Sequence, residues 1–273
     1  MSRVLLIPYD NGMLVNYPPL NLMYVASALI EEGNDVEVYQ HDIYHSEGNL
    51  RQYLRDYDYD VIGLGACAGY YQYQQIQRLC QIIKEESDAK IWLGGHLVAP
   101  DPNYFEKKFG ASQVCHGEYD YTADLDSLPF PEWYLFNINY YALMRLPHAD
   151  NSDRCFPVLG GRGCPFKCTF CYRMEKGYRA HSIERILEEV GILIKNYGIT
   201  YIDFADELLM TNPDRPVQVA EAMKPLGIKW DCNGRLNYAK PEILKKMKES
   251  GCVFINYGIE SVDDEVLELM NKK

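Results

Sequence analysis

The sequence predicts an α/β protein with two parallel β-sheets in succession. Short apolar runs recur along the chain, and most are followed by a segment with apolar residues at helical spacing. Strands that alternate with helices form βαβ units, whose right-handed crossovers make the strands parallel. The length of 273 residues suits two domains, each with its own hydrophobic core.

The first half of the chain predicts an open sheet with a ligand-binding edge. Five apolar runs predict strands at 4–8, 35–39, 61–65, 90–93 and 113–115. Segments with helical spacing lie between them, at 20–32, 49–56, 73–86 and 102–109. Open parallel sheets bind ligands at the carboxyl ends of their strands. Small residues follow three of these strands, at Gly65, at Gly94 and Gly95, and at Gly117 before Glu118, and leave room for a large, flat ligand.

The second half predicts four βα repeats. Its strands are expected at 157–160, 200–204, 228–232 and 252–257, and its helices at 182–196, 213–226, 241–250 and 263–273. Ser182 can cap the first of these helices, and Gly198 ends it. Residues 124–153 break the alternation with a proline-punctuated aromatic stretch, which is typical of an ordered connector. We therefore predict domains at 1–123 and 154–273, joined by a connector at 124–153.

Composition limits the classes of function. The net charge of −12 argues against binding an extended phosphate backbone, which needs clustered Lys and Arg. Three of the nine cysteines cluster and six are scattered, mostly in apolar runs, which is typical of buried thiols in a reducing cytoplasm. The N-terminus lacks the layout of a signal peptide, and no apolar run is long enough to span a bilayer.

The clustered cysteines predict a metal centre. Cys164, Cys168 and Cys171 follow the spacing C-x3-C-x2-C in a glycine-rich loop. Thiolates in a tight cluster select zinc, copper(I) or an iron–sulfur cluster. A closed zinc site needs a fourth ligand, for which His181 and Cys155 are the nearest candidates. Three ligands alone would leave one metal position open, as a catalytic site requires.

This loop resembles the signature of the radical S-adenosylmethionine (SAM) family, with the aromatic residue Phe170 before the last cysteine. The resemblance implies that Cys164, Cys168 and Cys171 hold a [4Fe-4S] cluster whose fourth iron binds SAM. It also implies that an electron from the cluster cleaves SAM into methionine and a 5′-deoxyadenosyl radical. The alternative is a zinc loop with a distant fourth ligand.

Polar residues follow the later strands, at the rim where a β/α barrel carries its active site. The family resemblance implies that Asp206 and Glu207 contact the SAM amino group, Asn233 and Arg235 its carboxylate, and Glu260 its ribose hydroxyls. A carboxylate suits an ammonium, and the two-pronged guanidinium suits a carboxylate. The alternative is a structural ion pair between Arg235 and either Glu260 or Asp206.

The first half resembles the cobalamin-binding domain that precedes many radical SAM barrels. The matching features are the stretch 18–22, the Gly94-Gly95 loop, and Gly117 with Glu118. The DxHxxG motif, whose histidine ligates cobalt in other cobalamin domains, does not occur in the sequence. We expect cobalamin to bind without that ligand, and His45 to be a surface histidine. The alternative is a sheet domain that binds a partner or no ligand.

The sequence therefore predicts a Rossmann-like or flavodoxin-like sheet of the cobalamin-binding type, followed by a partial radical SAM barrel. The family barrel has six repeats, so a chain with four is expected to be truncated, completed by another chain, or degenerate. The implied function is cobalamin-dependent methylation of an unactivated carbon in a small-molecule or peptide substrate, with flavodoxin or ferredoxin as electron donor. The rival hypothesis is a non-catalytic protein that binds a metal or cofactor.

Overall fold

The protein is described from a computed structural model, which covers residues 1–10, 12, 15–66, 70–115, 117–119, 121–172 and 177–272. The chain forms two compact units. The N-terminal unit comprises Met1–Thr122 and Leu128–Tyr141, and the C-terminal unit comprises Ala123–Ser127 and Ala142–Lys273. Parts of the predicted connector 124–153 thus belong to each unit, and the domain boundaries of the sequence analysis remain a prediction.

The N-terminal unit is a five-stranded sheet with helices along its crossovers. The strands are β1 (Arg3–Ile7), β2 (Asp35–Val38), β3 (Val61–Gly65), β4 (Lys90–Gly94) and β5 (Gln113–Val114). The helices are α1 (Leu20–Glu31), α2 (His41–Tyr44), α3 (Glu47–Asp56), α4 (Tyr70–Glu86), α5 (Pro102–Phe109) and α6 (Ile138–Tyr141). The strand order is β2-β1-β3-β4-β5, and every pairing is parallel. The predicted open parallel sheet is confirmed.

The local chemistry explains where these helices begin and end. The Ser46 side chain accepts a hydrogen bond from the Asn49 backbone, so α3 begins two residues before the predicted start at 49. Asp101 caps α5 in the same way, and Gly110 ends it in the left-handed conformation. The sequence analysis missed α2, a single turn of four residues with no side-chain cap.

The core of the N-terminal unit follows from the apolar runs. Leu5, Ile7, Ile62 and Leu64 of the central strands are almost fully buried, and the apolar face of α4 packs in the same cluster. At roughly 2 kcal/mol for each buried large aliphatic side chain, this cluster is a main contribution to the stability of the unit. It also fixes the strand ends from which the loops of the sheet emerge.

The C-terminal unit combines a parallel sheet with a short ribbon. The strands are β6 (Cys155–Val158), β7 (Gly161–Cys164), β8 (Gly177–Ala180), β9 (Tyr201–Phe204), β10 (Lys229–Gly234) and β11 (Cys252–Tyr257). The helices are α7 (Ile183–Tyr197), α8 (Arg215–Met223), α9 (Pro241–Glu249) and α10 (Asp264–Leu269), with 3-10 turns at Leu125–Ser127, Lys224–Leu226 and Leu236–Tyr238. The parallel sheet has the order β11-β10-β9-β6, whereas β7 and β8 form an antiparallel pair.

The four predicted βα repeats are confirmed, with three differences. The last helix, predicted at 263–273, spans only Asp264–Leu269. The ribbon of β7 and β8 was not predicted, because its glycine-rich strands lack an apolar run. Helix α8 ends at Met223 instead of 226, since Pro225 continues the chain as a 3-10 turn. The Ser182 cap and the Gly198 stop of α7 are as predicted.

Among the helices that the structure describes, none has the length and the apolar character of a membrane span.

Candidate cofactor sites

The cysteine loop begins at the end of β7. Cys164 pairs with Gly177 of β8 and is half-buried, Cys168 is only 8% exposed, and Cys171 is exposed. Gly163 has a φ of +81°, and a Cβ on it would collide with the Gly177 carbonyl. Glycine is therefore required for the ribbon that carries the first cysteine. None of the three forms a disulfide with a described residue.

A zinc ion and a four-iron cluster require different arrangements of their thiolate ligands. Ligands of one zinc ion crowd together, because each sulfur lies about 2.3 Å from the metal. Among the described residues, no three His, Cys, Asp or Glu side chains are close enough to share one ion. A four-iron cluster places each thiolate on a different iron and so accepts wider spacing. Three soft thiolate donors on one loop fit an iron–sulfur cluster.

The two candidate fourth zinc ligands have structural roles. His181 is 1% exposed, its Nδ1 lies 3.1 Å from an Asp126 carboxylate oxygen, and burial lowers its pKa. Cys155 is buried in the first position of β6, opposite Tyr201 of β9. Burial raises the pKa of the Cys155 thiol to about 11, which disfavours the thiolate that a metal needs.

Arg235 connects the end of β10 to the cysteine loop. Its guanidinium carbon lies 3.8 Å from the centre of the Phe166 ring, a cation–π geometry. Its Nη1 lies 4.0 Å from Cys168 Sγ, and its Nε donates a 3.0 Å hydrogen bond to Asn237 Oδ1. The structure thus brings a residue predicted to contact SAM next to a cysteine predicted to ligate the cluster.

Asp206 and Asn233 support the strand ends. Asp206 Oδ1 accepts a 2.6 Å hydrogen bond from the Gly160 backbone, and the Asp206 carbonyl accepts a 2.8 Å bond from Asn233 Nδ2. Asn233 Oδ1 also accepts a 3.0 Å bond from Asn256 Nδ2 on β11. The neighbouring residue Glu207 is exposed. Of the predicted amino-contacting pair, Asp206 therefore has a structural role in the described contacts.

The electrostatics of Asp206 are unusual for a carboxyl group. The residue is 1% exposed, and its Oδ2 has no hydrogen-bond partner among the described residues. Burial raises its pKa from 3.8 to about 7, although the Gly160 hydrogen bond and the positive charge of Arg215 oppose this. An acceptor without a partner at a buried strand end could take a donor from a ligand.

Arg215 is a site residue that the sequence analysis missed. It is 7% exposed at the start of α8, and its Nη2 donates to the carbonyls of Gly160 and His181, at 2.7 and 2.9 Å. Arg215 and Asp206 together hold the backbone that enters β7. A single arginine at a helix start gives no sequence signal for this role.

Glu260 lies beside a cleft at the end of β11. It is exposed with a φ of +62°, and its Oε1 lies 3.2 Å from Lys272 Nζ. The cleft has a volume of about 400 Å³. Its lining comes from the ends of β10 and β11 and from α10: Arg235, Leu236, Asn237, Gly258, Ile259, Ser261, Asp264, Leu267, Glu268 and Lys272. Phe170, 48% exposed, presents its ring 5.6 Å from Lys272 Nζ.

The predicted glycines of the N-terminal unit mostly serve close packing. Gly95 has a φ of +106°, and a Cβ on it would collide with the Ala66 carbonyl. A Cβ on Gly65 would lie 2.6 Å from Asn21 Nδ2, and one on Gly94 would make an ordinary 3.8 Å contact with Cys115. The loops at these strand ends thus approach each other closely.

The structure describes only some of the other residues predicted at this edge. Gly117 has a φ of +86°, and Glu118 is half-buried next to it. Residues 67–69 of the predicted loop after β3, and His116, lie outside the described residues. His45 is exposed, as predicted, and its Nδ1 lies 2.7 Å from Asp10 Oδ2.

A buried polar group near the end of β2 was also missed. Asp42 Oδ2 accepts a 2.6 Å hydrogen bond from the Tyr141 hydroxyl, and the Asp42 carbonyl accepts a 2.7 Å bond from Asn16 Nδ2. Burial raises the pKa of Asp42 to about 6. This group ties α6 to the sheet within the N-terminal unit, and neither its residues nor their spacing form a known motif.

Comparison with known proteins supports two families on one chain. The sequence model of the Radical SAM superfamily matches residues 158–273, and that of the B12 binding domain matches residues 14–125. The two matches do not overlap, and together they cover most of the chain. Residues 158–273 belong to the radical SAM superfamily, and residues 14–125 form a B12-binding domain. The family brings a [4Fe-4S] cluster and SAM as cofactors, and the B12-binding domain brings cobalamin.

Individual relatives agree with this radical SAM assignment. An uncharacterized methyltransferase of Pyrococcus horikoshii is 26% identical over 93% of this chain and 63% of the relative. The cobalamin-dependent SAM radical enzyme OxsB superposes with a TM-score of 0.79 at 17% identity, covering 100% of this chain and 46% of OxsB. The radical SAM methyltransferase TsrM of Kitasatospora setae gives 0.76 at 15% identity, covering 98% and 60%. The predicted fold is confirmed, and the chain spans roughly half to two thirds of these relatives' length.

Proposed function

We propose that the protein is a cobalamin-dependent radical SAM methyltransferase that methylates an unactivated carbon. The observation that carries this proposal is the position of Arg235, 4.0 Å from Cys168 and on the wall of the cleft. The names of the Pyrococcus relative and of TsrM as methyltransferases support methyl transfer. When bound, the cluster supplies the electron for SAM cleavage, and cobalamin carries the methyl group.

The three cysteines are the proposed cluster ligands. Cys164 is held by the β7–β8 ribbon, Cys168 lies buried beneath Arg235, and Cys171 is at the exposed end of the loop. Three thiols of graded exposure on one short loop can reach three corners of a cluster and leave the fourth corner for SAM. Phe170 covers the side of the loop next to Lys272.

The proposed SAM contacts divide between carboxylate and amino ends. Arg235 is held by the Phe166 ring and by Asn237, which orients its guanidinium for a two-pronged contact with the SAM carboxylate. Asn233, two residues before it on β10, assists there. The exposed Glu207 receives the ammonium, while Asp206 next to it keeps the strand end in place.

The cleft is the proposed site for the adenosine part of SAM. A volume of about 400 Å³ is within the range of small-molecule pockets. Glu260 adjoins this cleft through its neighbours Ile259 and Ser261, and its carboxylate can accept hydrogen bonds from ribose hydroxyls. Its ion pair with Lys272 fixes the direction of that acceptor.

Cobalamin is proposed to bind at the strand-end edge of the N-terminal unit. Gly65, Gly94, Gly95, Gly117 and Glu118 lie at this edge, and Gly94, Gly95, Gly117 and Glu118 are partly exposed. Glycines at such positions allow a flat macrocycle to approach the backbone closely. We also propose the domain boundaries 1–123, 124–153 and 154–273, with cobalamin bound by the first domain and the cluster and SAM by the last.

The composition and the state of the cysteines support a proposed cellular compartment and proposed partners. A reducing cytoplasm suits cysteines that form no disulfide among the described residues, and an electron donor such as flavodoxin or ferredoxin would reduce the cluster. The substrate is proposed to be a small molecule, with a peptide as the alternative. Neither nucleic acid nor a membrane is expected as a partner, since the net charge of −12 repels both phosphate backbones and anionic lipid.

The test is transfer of a labelled methyl group. The reconstituted protein is incubated with methyl-deuterated SAM, hydroxocobalamin and a strong reductant, and methylcobalamin and 5′-deoxyadenosine are measured by mass spectrometry. We expect both products to form, and Arg235→Gln to reduce both. A cluster-containing protein that forms neither product would favour the rival non-catalytic hypothesis.

A further inference from the structure

The cysteine loop is held by the segment that follows α10. The Thr169 backbone donates a 2.9 Å hydrogen bond to the Met270 carbonyl. The Asn271 side-chain amide donates a 2.8 Å hydrogen bond to the Lys167 carbonyl. These two bonds bracket Cys168, so the residues on each side of this cysteine are attached to residues 270–271.

The end of α10 is a Schellman motif with an asparagine in the left-handed position. The Lys272 backbone donates to the Leu267 carbonyl at 2.8 Å, and the Asn271 backbone donates to the Glu268 carbonyl at 3.0 Å. Asn271 has a φ of +51°. This pair of hydrogen bonds and the left-handed residue between them define the motif.

Glycine is the usual residue at this position, and the same chain uses it elsewhere. Gly110 ends α5 and Gly198 ends α7, with φ values of +66° and +63°. Asparagine tolerates the left-handed region less well than glycine, because it carries a Cβ. The cap alone favours glycine over asparagine, whereas only asparagine supplies the amide that bonds to the cysteine loop.

Lys272 adds a second connection from the same segment. Its Nζ lies 3.2 Å from Glu260 Oε1 and 5.6 Å from the centre of the Phe170 ring. Its side chain is 15% exposed. The segment therefore joins the end of β11 to the loop residue that precedes Cys171.

We infer that Asn271 is a positioning residue that orders the cysteine loop around Cys168 before any cofactor binds. Ligands that are fixed in advance bind a cofactor without a further loss of conformational freedom. Only the functional meaning of this order rests on the proposed cluster. The hydrogen bonds and their consequence for thiol exposure belong to the iron-free chain.

The test compares Asn271→Gly and Asn271→Asp in the iron-free, reduced full chain. Glycine keeps the left-handed cap and deletes the amide, and aspartate keeps the size but turns an acceptor toward the Lys167 carbonyl. The readout is the alkylation rate of Cys168 by iodoacetamide, measured by peptide mass spectrometry. Cys232, 3% exposed in β10, is the internal reference for global opening of the unit.

We expect Cys168 alkylation to rise about fivefold relative to Cys232 in Asn271→Gly, as loss of one net hydrogen bond predicts. The aspartate variant should show a larger rise, and the thermal midpoint of the glycine variant should not fall. Gly198→Asn, the reverse exchange at the cap of α7, should leave the ratio unchanged. An unchanged ratio in both Asn271 variants, or an equal rise for both cysteines, would overturn the inference.

Discussion

The strand-end edges of the two sheets are built differently. At the edge of the C-terminal unit, Arg235 contacts Cys168 of the cysteine loop, Asp206 accepts from the Gly160 backbone, and Asn233 donates to the Asp206 carbonyl. At the edge of the N-terminal unit, glycines such as Gly95 let backbone segments touch. The first edge is organised by side-chain chemistry and the second by backbone shape.

This difference explains how much of each edge can be interpreted. Side chains with charge or thiol groups indicate which chemical groups they could bind, so the SAM contacts of the C-terminal unit are proposed residue by residue. A glycine edge allows a ligand to approach closely without indicating its chemistry, and the same glycines also serve the packing of the loops. The predictions below test whether the C-terminal edge depends on side-chain chemistry and the N-terminal edge on close backbone contact.

The largest effect is expected at Asp206 as a function of pH. Because burial raises its folded-state pKa from 3.8 to about 7, its contribution to stability is complete at low pH and is lost as pH rises through about 7. A shift of this size corresponds to about 4 kcal/mol. The side chain of Asp206→Asn cannot ionise. The difference in free energy of unfolding between this variant and the wild type should therefore shift by about that amount in favour of the variant between pH 4 and pH 8.

The substitution also changes stability in a way that does not depend on pH, because asparagine buries an amide in place of Oδ2. Comparing the two proteins across pH cancels this constant part. Chemical unfolding of both proteins at several pH values is the measurement. Carboxylates with lowered pKa, such as Asp126 and Asp153, are common to both proteins and cancel. A stability difference that does not vary with pH would mean that Asp206 is ionised in the folded protein across this range.

Gly95→Ala tests the backbone-built edge. A new Cβ would collide with the Ala66 carbonyl, which cannot move without breaking the contact between the loops after β3 and β4. We expect a loss of about 3 kcal/mol in the unfolding of the N-terminal unit. Gly33→Ala is the matched control, because Gly33 has a similar φ of +84° but no atom within 4 Å of the added Cβ.

Backbone strain alone should make Gly33→Ala cost about 1 kcal/mol. The difference between the two glycine variants therefore measures the steric contact at the strand ends. Calorimetry can follow the transition of each unit. Equal losses in the two variants would mean that the loops separate easily and that close approach is not what Gly95 provides.

Arg235→Lys tests the side-chain-built edge and has the smallest expected effect. Lysine keeps the charge but loses the planar contact with Phe166 and the two-pronged geometry. We expect SAM binding to the reconstituted protein to weaken about tenfold, or about 1.4 kcal/mol. Arg3→Lys, which exchanges a guanidinium over Tyr59 in the other unit, should leave SAM binding unchanged in the same equilibrium dialysis.

Equal SAM affinity in the wild type and Arg235→Lys would show that Arg235 only supports the loop. The proposed carboxylate contact would then be wrong, although the cysteines could still hold the cluster. In that case Arg235 at the C-terminal edge would serve packing rather than ligand binding, as the glycines of the N-terminal edge do.

Sequence reasoning located the elements with strong local signals. Continuous apolar runs gave both parallel sheets, and Ser182 and Gly198 gave the limits of α7. The cysteine spacing located the loop at the end of β7, because thiol chemistry depends on residue type and local spacing more than on distant packing.

Other features depend on contacts between distant parts of the chain. The β7–β8 ribbon has no apolar pattern, and Arg215 reaches the Gly160 carbonyl from a helix that lies far along the sequence. Asp206 carries a carboxylate that suits a ligand, but the fold uses one of its oxygens for a backbone amide. Asn271 meets the cysteine loop across 104 positions, a separation that no local pattern reveals.

The most direct test of the central claim is the metal content of the cysteine loop. Iron and acid-labile sulfide are measured anaerobically after reconstitution, with an absorbance spectrum, for the wild type, Cys168→Ala and the control Cys252→Ala. We predict about four irons and four sulfides per chain in the wild type and the control, and loss of both in Cys168→Ala. One zinc per chain with no visible absorption band, retained in Cys168→Ala, would contradict the assignment of the loop to a radical SAM cluster.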